Sequence, residues 1–132
     1  MEREYDRHYA WWKVEFTPER DSSTWLGKTV DVSMKGASFH CATHVATSSR
    51  GKIHLFLPPT DLHPSPYELK AEVRVVYSIL QGEAGFLTGV DFVDIHEDGA
   101  TVLKITLASC PLVPGEDREI IEKANHALPQ KK

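Results

Sequence analysis

Residues 68–80 read ELKAEVRVVYSIL, and this stretch decides the fold class. Leu69, Ala71, Val73 and Val75 share one parity, with Glu68, Lys70, Glu72 and Arg74 between them. Successive side chains of a strand point to opposite faces, so the pattern predicts a long, half-buried strand from about Glu68 to Leu80. The parity of Tyr77 matches that of Val73 and Val75 and favours a core tyrosine. Downstream, Gln81 to Gly85 reads as a turn, and Phe86 to Val93 returns with Phe86, Val90 and Phe92 on one face. Upstream, Ile53, Leu55 and Leu57 form a run that ends at Pro58 and Pro59, and the segment THVATSSRG before it is loop-like in composition.

The same period governs the first forty residues. In Ala10 to Phe16 the inward set is Ala10, Trp12, Val14 and Phe16, with Lys13 and Glu15 in water, and the turn TPERDSS follows. A strand from about Leu26 to Met34 places Val30, Val32 and Met34 inward and Thr29, Asp31, Ser33 and Lys35 outward. Ala37, Phe39 and Cys41 then occupy the opposite parity, so a tight turn or bulge near Gly36 must absorb one residue. Strands joined by short turns, without alternating helices, predict an antiparallel barrel or sandwich. After Asp94, Val102, Leu103, Ile105 and Leu107 fit a strand or a helix, and a helix capped near Asp98 is the preferred reading. A final helix is expected from about Gly115, with Glu116, Asp117 and Glu119 in its first turn and a stripe of Ile120, Ile121, Ala124, Ala127 and Leu128.

At 132 residues, the chain has the size of one domain, and its 41% hydrophobic and 26% charged composition is that of a globular protein rather than a disordered one. The apolar runs fall well short of the roughly 18 to 20 residues of a membrane span, so no membrane insertion is expected. The opening MEREYDRHY lacks the apolar run of a secretory signal, which predicts a cytoplasmic location. Cys41 and Cys110 form no CxxC pair and read as reduced packing residues. His40, Cys41 and His44 are the best metal candidates, but along an extended chain the two imidazoles lie roughly 13 Å apart, so no metal is expected. No GxSxG, Walker-type or dinucleotide glycine loop occurs, and no enzymatic activity is expected. The net charge of −4, without a basic run, argues against DNA or RNA binding despite Tyr9, Trp11 and Trp12.

Two short motifs remain. Arg3 and Arg7 stand four residues apart at the N-terminus, and Asp31, Ser33 and Gly36 form DxSxxG. In this order, with VRVVY at Val73 to Tyr77 and GVDF at Gly89 to Phe92, residues 3 to 108 resemble the bacterial PilZ domain. The resemblance implies a six-stranded antiparallel β-barrel with one or two C-terminal helices. Residues 1–8 would form a flexible arm, 9–110 the barrel and short helix, and 111–132 the C-terminal helix and tail. It also implies a receptor for the second messenger cyclic di-GMP, with Arg3, Arg7, Asp31, Ser33 and Gly36 as ligand-binding residues and no other cofactor. Tyr77 lies near the place where some members carry an aromatic that stacks on guanine.

These residue types suit such a ligand. A guanidinium can grip phosphate oxygens or the O6/N7 edge of guanine with two N–H groups, or stack on the purine face. A carboxylate can accept from guanine N–H groups, and a hydroxyl can donate to phosphate or base. Glycine leaves no Cβ in the way. In some members the residue before the first arginine affects whether one ligand or an intercalated pair binds, so the resemblance, with Glu2 adding no positive charge there, implies a single ligand. Ligand binding is expected to order the arm and so signal to an effector protein. The alternative expectation is a PilZ-like interaction adaptor that binds no nucleotide.

Overall fold

The computed structural model describes residues 5–20 and 23–114. Its strands are β1 (His8–Tyr9), β2 (Lys13–Pro18), β3 (Trp25–Val32), β4 (Gly36–Cys41), β5 (Arg50–Leu57), β6 (Tyr67–Leu80) and β7 (Phe86–Ile95), followed by the helix α1 (Gly99–Leu107). All strand pairs are antiparallel. The ladder runs β3–β2–β5–β6–β7–β4 and closes through β4 onto β3, so six strands form a barrel. The short β1 shares the β2-side edge of β3, with Tyr9 opposite Asp31 and His8 opposite Val32. Closure removes the unpaired edges that an open sheet would present.

The period-2 residues fill the barrel. Val14, Phe16, Ile53, Leu55, Leu57, Leu69, Ala71, Val73, Val75, Ala37, Phe39 and Cys41 are all buried in one core, joined by Ala10 and Trp12. The segment after Asp94 is a helix whose N-cap is Asp98, as preferred from the sequence. Val102, Leu103, Thr106 and Leu107 are its buried stripe, spaced so that one helical face meets the core. Among the described residues no helix is long and apolar enough to cross a membrane. The helix expected from Gly115 lies outside the described residues. Cys41 is buried and Cys110 half-buried, both as free thiols, and burial pushes the Cys110 thiol up from its ordinary value.

The expected faces of β3 need correction. Thr29, expected in water, is fully buried, and Ser33 is buried as well. The register against β4 slips between Thr29 and Asp31, leaving Val30 as the extra residue, so parity reverses inside β3 as well as at the following turn. The expected Ala10–Phe16 strand is likewise interrupted, since β1 ends at Tyr9 and β2 begins at Lys13. Thr29 spans this break: its hydroxyl donates to the Ala10 carbonyl at 2.7 Å and accepts from the Trp12 N–H at 2.8 Å. Thr29→Val keeps the shape but leaves both backbone groups without that partner. It should cost about 2 kcal/mol, read as a lower midpoint in urea or thermal unfolding. A variant as stable as the parent would mean that the break is held by other contacts.

Candidate ligand site

The outer face of the barrel at β1 and β3 brings Arg7 and Asp31 of the two motifs together. Arg7 immediately precedes β1, and the segment after α1 fixes this part of the chain. Tyr9 N–H donates to the Pro111 carbonyl, Val113 N–H donates to the Arg7 carbonyl, and the His8 ring Nδ1 donates to the Cys110 carbonyl at 3.0 Å. Residues 7 and 8, assigned to a flexible arm from the sequence, are therefore tied to the barrel by backbone hydrogen bonds. Arg3 lies outside the described residues.

Arg7 Nη1 donates to Asp31 Oδ1 at 2.7 Å, and the two side chains are 24% and 13% exposed. That partial burial matters, because a fully exposed pair would contribute little and a sequestered one could not meet a ligand. A guanidinium carries five N–H donors in a plane. With one of them held by the carboxylate, the fork has a defined direction and can present its remaining donors to an anion or to a guanine edge.

Ser33 and Gly36 do not stand beside Asp31 as two further outward groups. Ser33 N–H donates to the Gly36 carbonyl at 2.8 Å, bracketing a turn through Met34 and Lys35. The Ser33 hydroxyl oxygen accepts from Lys35 N–H at 3.0 Å and from Gly36 N–H at 3.2 Å. Its buried hydroxyl thus satisfies the turn's own amides, the local side-chain-to-backbone bonding at which serine excels. Gly36 pairs with Asp91 of β7, and a Cβ placed on it would lie 2.0 Å from the Val90 carbonyl oxygen. Neither Met34, Lys35 nor Gly36 has a positive φ. Glycine is demanded here by a neighbouring backbone and not by a left-handed turn.

Tyr77 is half-buried and lies outside the main core cluster, against the core reading that its parity favoured. The register between β6 and β7 shifts between Val75 and Tyr77, which turns Tyr77 to the outer face opposite Gly89. Its ring rests over Gly89, where a Cβ would meet the ring carbons at 2.3 Å. The pairings Tyr9–Asp31, Asp31–Ser38, Ser38–Gly89 and Gly89–Tyr77 form one continuous outward row across β1, β3, β4, β7 and β6. Asp31 and Tyr77 are three strand spacings apart, roughly 14 Å. Between them stand only Ser38 and Gly89, the smallest residues of the row. Ser38 was not singled out in the sequence, where nothing distinguishes it from any serine on a strand.

The histidine and cysteine cluster weighed for a metal does not assemble. Cys41 Sγ donates to the Thr43 carbonyl at 3.1 Å, and His44 is exposed with its ring edge against Phe86. Glu72, Asp94 and His96, on the outer side of β6 and β7, do come within 4.8 Å of one another, all at least partly in solvent.

The family model of the PilZ domain matches residues 2–108. Among curated proteins no sequence matches significantly. The structure is similar to that of the Bacillus subtilis inhibitor of motility MotI/DgrA, with a TM-score of 0.66 and 16% identity, covering 83% of this chain and 50% of that one. The chain thus spans about half the length of MotI/DgrA. It is also similar to the PilZ domain of YcgR from Escherichia coli, solved with c-di-GMP, with a TM-score of 0.58, 16% identity and coverage of 95% and 98% of the two chains. These likenesses agree with the closed six-stranded barrel and short helix built up above, and the family match spans the barrel, the helix and both motifs: the chain belongs to the PilZ domain family.

Proposed function

We propose that this protein is a non-enzymatic receptor for cyclic di-GMP that passes the signal to a protein partner. The observation that carries the reading is the Arg7–Asp31 pair, a guanidinium held in a fixed direction on the outer wall beside the Ser33–Gly36 turn. Membership of the PilZ family and likeness to a domain solved with c-di-GMP support it. In this reading Arg7, together with Arg3, grips the two phosphates or the guanine edges of the ligand. Asp31 accepts from guanine N–H groups or aims Arg7. Ser33 and Gly36 act by shape, holding the turn and the β4–β7 approach against which the ligand lies. Tyr77 offers a ring at the far end of the row. The backbone ties at Arg7 and Tyr9 already hold the chain from Arg7 onward, so the ordering by ligand in this reading concerns the residues before Arg7.

Isothermal titration with cyclic di-GMP, GTP and a short oligonucleotide tests the reading. Saturable binding of cyclic di-GMP is expected, with GTP and the oligonucleotide at least an order of magnitude weaker, since neither combines two phosphates and two guanines in one small ring. Slower amide exchange before Arg7 on saturation would carry the signalling step. An absence of heat at high ligand concentration would favour the second reading, a PilZ-type interaction adaptor without nucleotide. That alternative draws on one groove where exposed Trp11 and Leu80 lie with Lys28, His40 and Phe86.

A further inference from the structure

Ser38 lies on the outward parity of β4, between Asp31 of β3 and Gly89 of β7, yet only 2% of it is exposed. Its Oγ is buried and has no hydrogen-bond partner among the described residues. Buried hydroxyls are nearly always paired, because leaving one without a partner forfeits its hydration for nothing. A buried, unpartnered hydroxyl on the outside of a barrel wall therefore asks what it is for. The core offers no answer, since the inward neighbours Ala37 and Phe39 point to the other side of the strand.

The row it occupies supplies one. Ser38 sits one strand spacing from Asp31, about 5 Å away, and two from Tyr77. Gly89 beside it has no side chain, and the Tyr77 ring lies over the backbone there. The other buried side-chain atom without a partner among the described residues, His40 Nδ1, belongs to the next row, opposite Lys28 and Leu87.

We propose that Ser38 is a further ligand-binding residue, its hydroxyl forming the floor of the site between the Arg7–Asp31 pair and Tyr77 and hydrogen-bonding a guanine edge or phosphate oxygen of the nucleotide. This rests on the cyclic di-GMP reading above. Serine can donate or accept, so either group satisfies it. The ligand supplies the partner that the free protein withholds, and the hydroxyl then favours the bound state specifically.

The test is Ser38→Ala, titrated with cyclic di-GMP beside the wild-type protein, with the melting temperature of both recorded without ligand. The affinity should fall about tenfold, the scale of one hydrogen bond made only in the complex. The melting temperature of the free variant should be equal or slightly higher, because a hydroxyl without a partner is removed. Equal affinities overturn the proposal and leave the receptor reading standing, provided the wild type binds. A variant that melts several degrees lower has lost a structural hydrogen bond, which overturns it as well. A wild-type protein that does not bind cyclic di-GMP removes both readings together.

Discussion

Gly36→Val should lower the melting temperature of the ligand-free protein by roughly 10 °C, the equivalent of about 3 kcal/mol in a chain of this size. The cause is the Cβ itself. It would sit 2.0 Å from the Val90 carbonyl oxygen and 3.1 Å from Asp91 Cα, both backbone atoms of the facing strand. A side-chain tip could move aside; here β4 and β7 must separate, and their hydrogen-bonded ladder runs from Gly36–Asp91 to Cys41–Phe86. Gly36→Ala should show much of the same loss, because the extra methyls of valine lie beyond the atom that clashes. Thermal unfolding followed by circular dichroism reads both. If alanine is tolerated and only valine destabilises, the barrel yields at this point and the close approach is not what demands glycine. Any loss of ligand binding in these variants has to be read against their stability, which separates Gly36 from the residues that touch the ligand.

Arg7→Ala should weaken cyclic di-GMP binding by about tenfold to a hundredfold, the range of a charge-assisted, two-pronged contact. Its effect on the free protein should stay within about 1 kcal/mol, because the side chain is partly in solvent and the backbone around it keeps its bonds to Pro111 and Val113. Asp31→Ala adds information that Arg7→Ala lacks. If the carboxylate acts only by aiming the guanidinium, the double variant should bind no more weakly than Arg7→Ala alone. If Asp31 also accepts from the ligand, the double variant should be weaker still. Titration calorimetry on the four proteins of that cycle decides between the two roles. Wild-type affinity in Arg7→Ala would take the arginine out of the site altogether.

The sequence alone determined most of the apolar residues that enter the barrel, though not Thr29 or Tyr77. Leu69, Ala71, Val73 and Val75, and the sets at Val14–Phe16, Ile53–Leu57 and Ala37–Cys41, went inside as their alternation required, because the direction of a strand side chain is a property of the strand itself. For the segment after Asp94 the sequence fitted a strand or a helix, with the helix only preferred, and the packing of Val102, Leu103, Thr106 and Leu107 on the core made it a helix. The DxSxxG spacing was legible as a turn, with a glycine where one is needed.

What each motif residue does was decided only by its neighbours in space. The slip at Val30 that buries Thr29 depends on how β3 meets β4 on one edge and the broken β1–β2 segment on the other. Such a shift leaves no mark in the composition of β3. Gly36 read as a turn glycine with no Cβ to obstruct a ligand, but its reason is the Val90 carbonyl, 54 residues away in the chain. Arg7 read as part of a loose arm, but a segment beyond α1 pins it beside Asp31. Tyr77 left the core because of a bulge in its pairing with β7, and Ser38 gained its interest from Asp31, Gly89 and Tyr77 falling into one row. Alternation is set within a strand, whereas register is set between strands far apart in sequence, and the candidate site is built from registers.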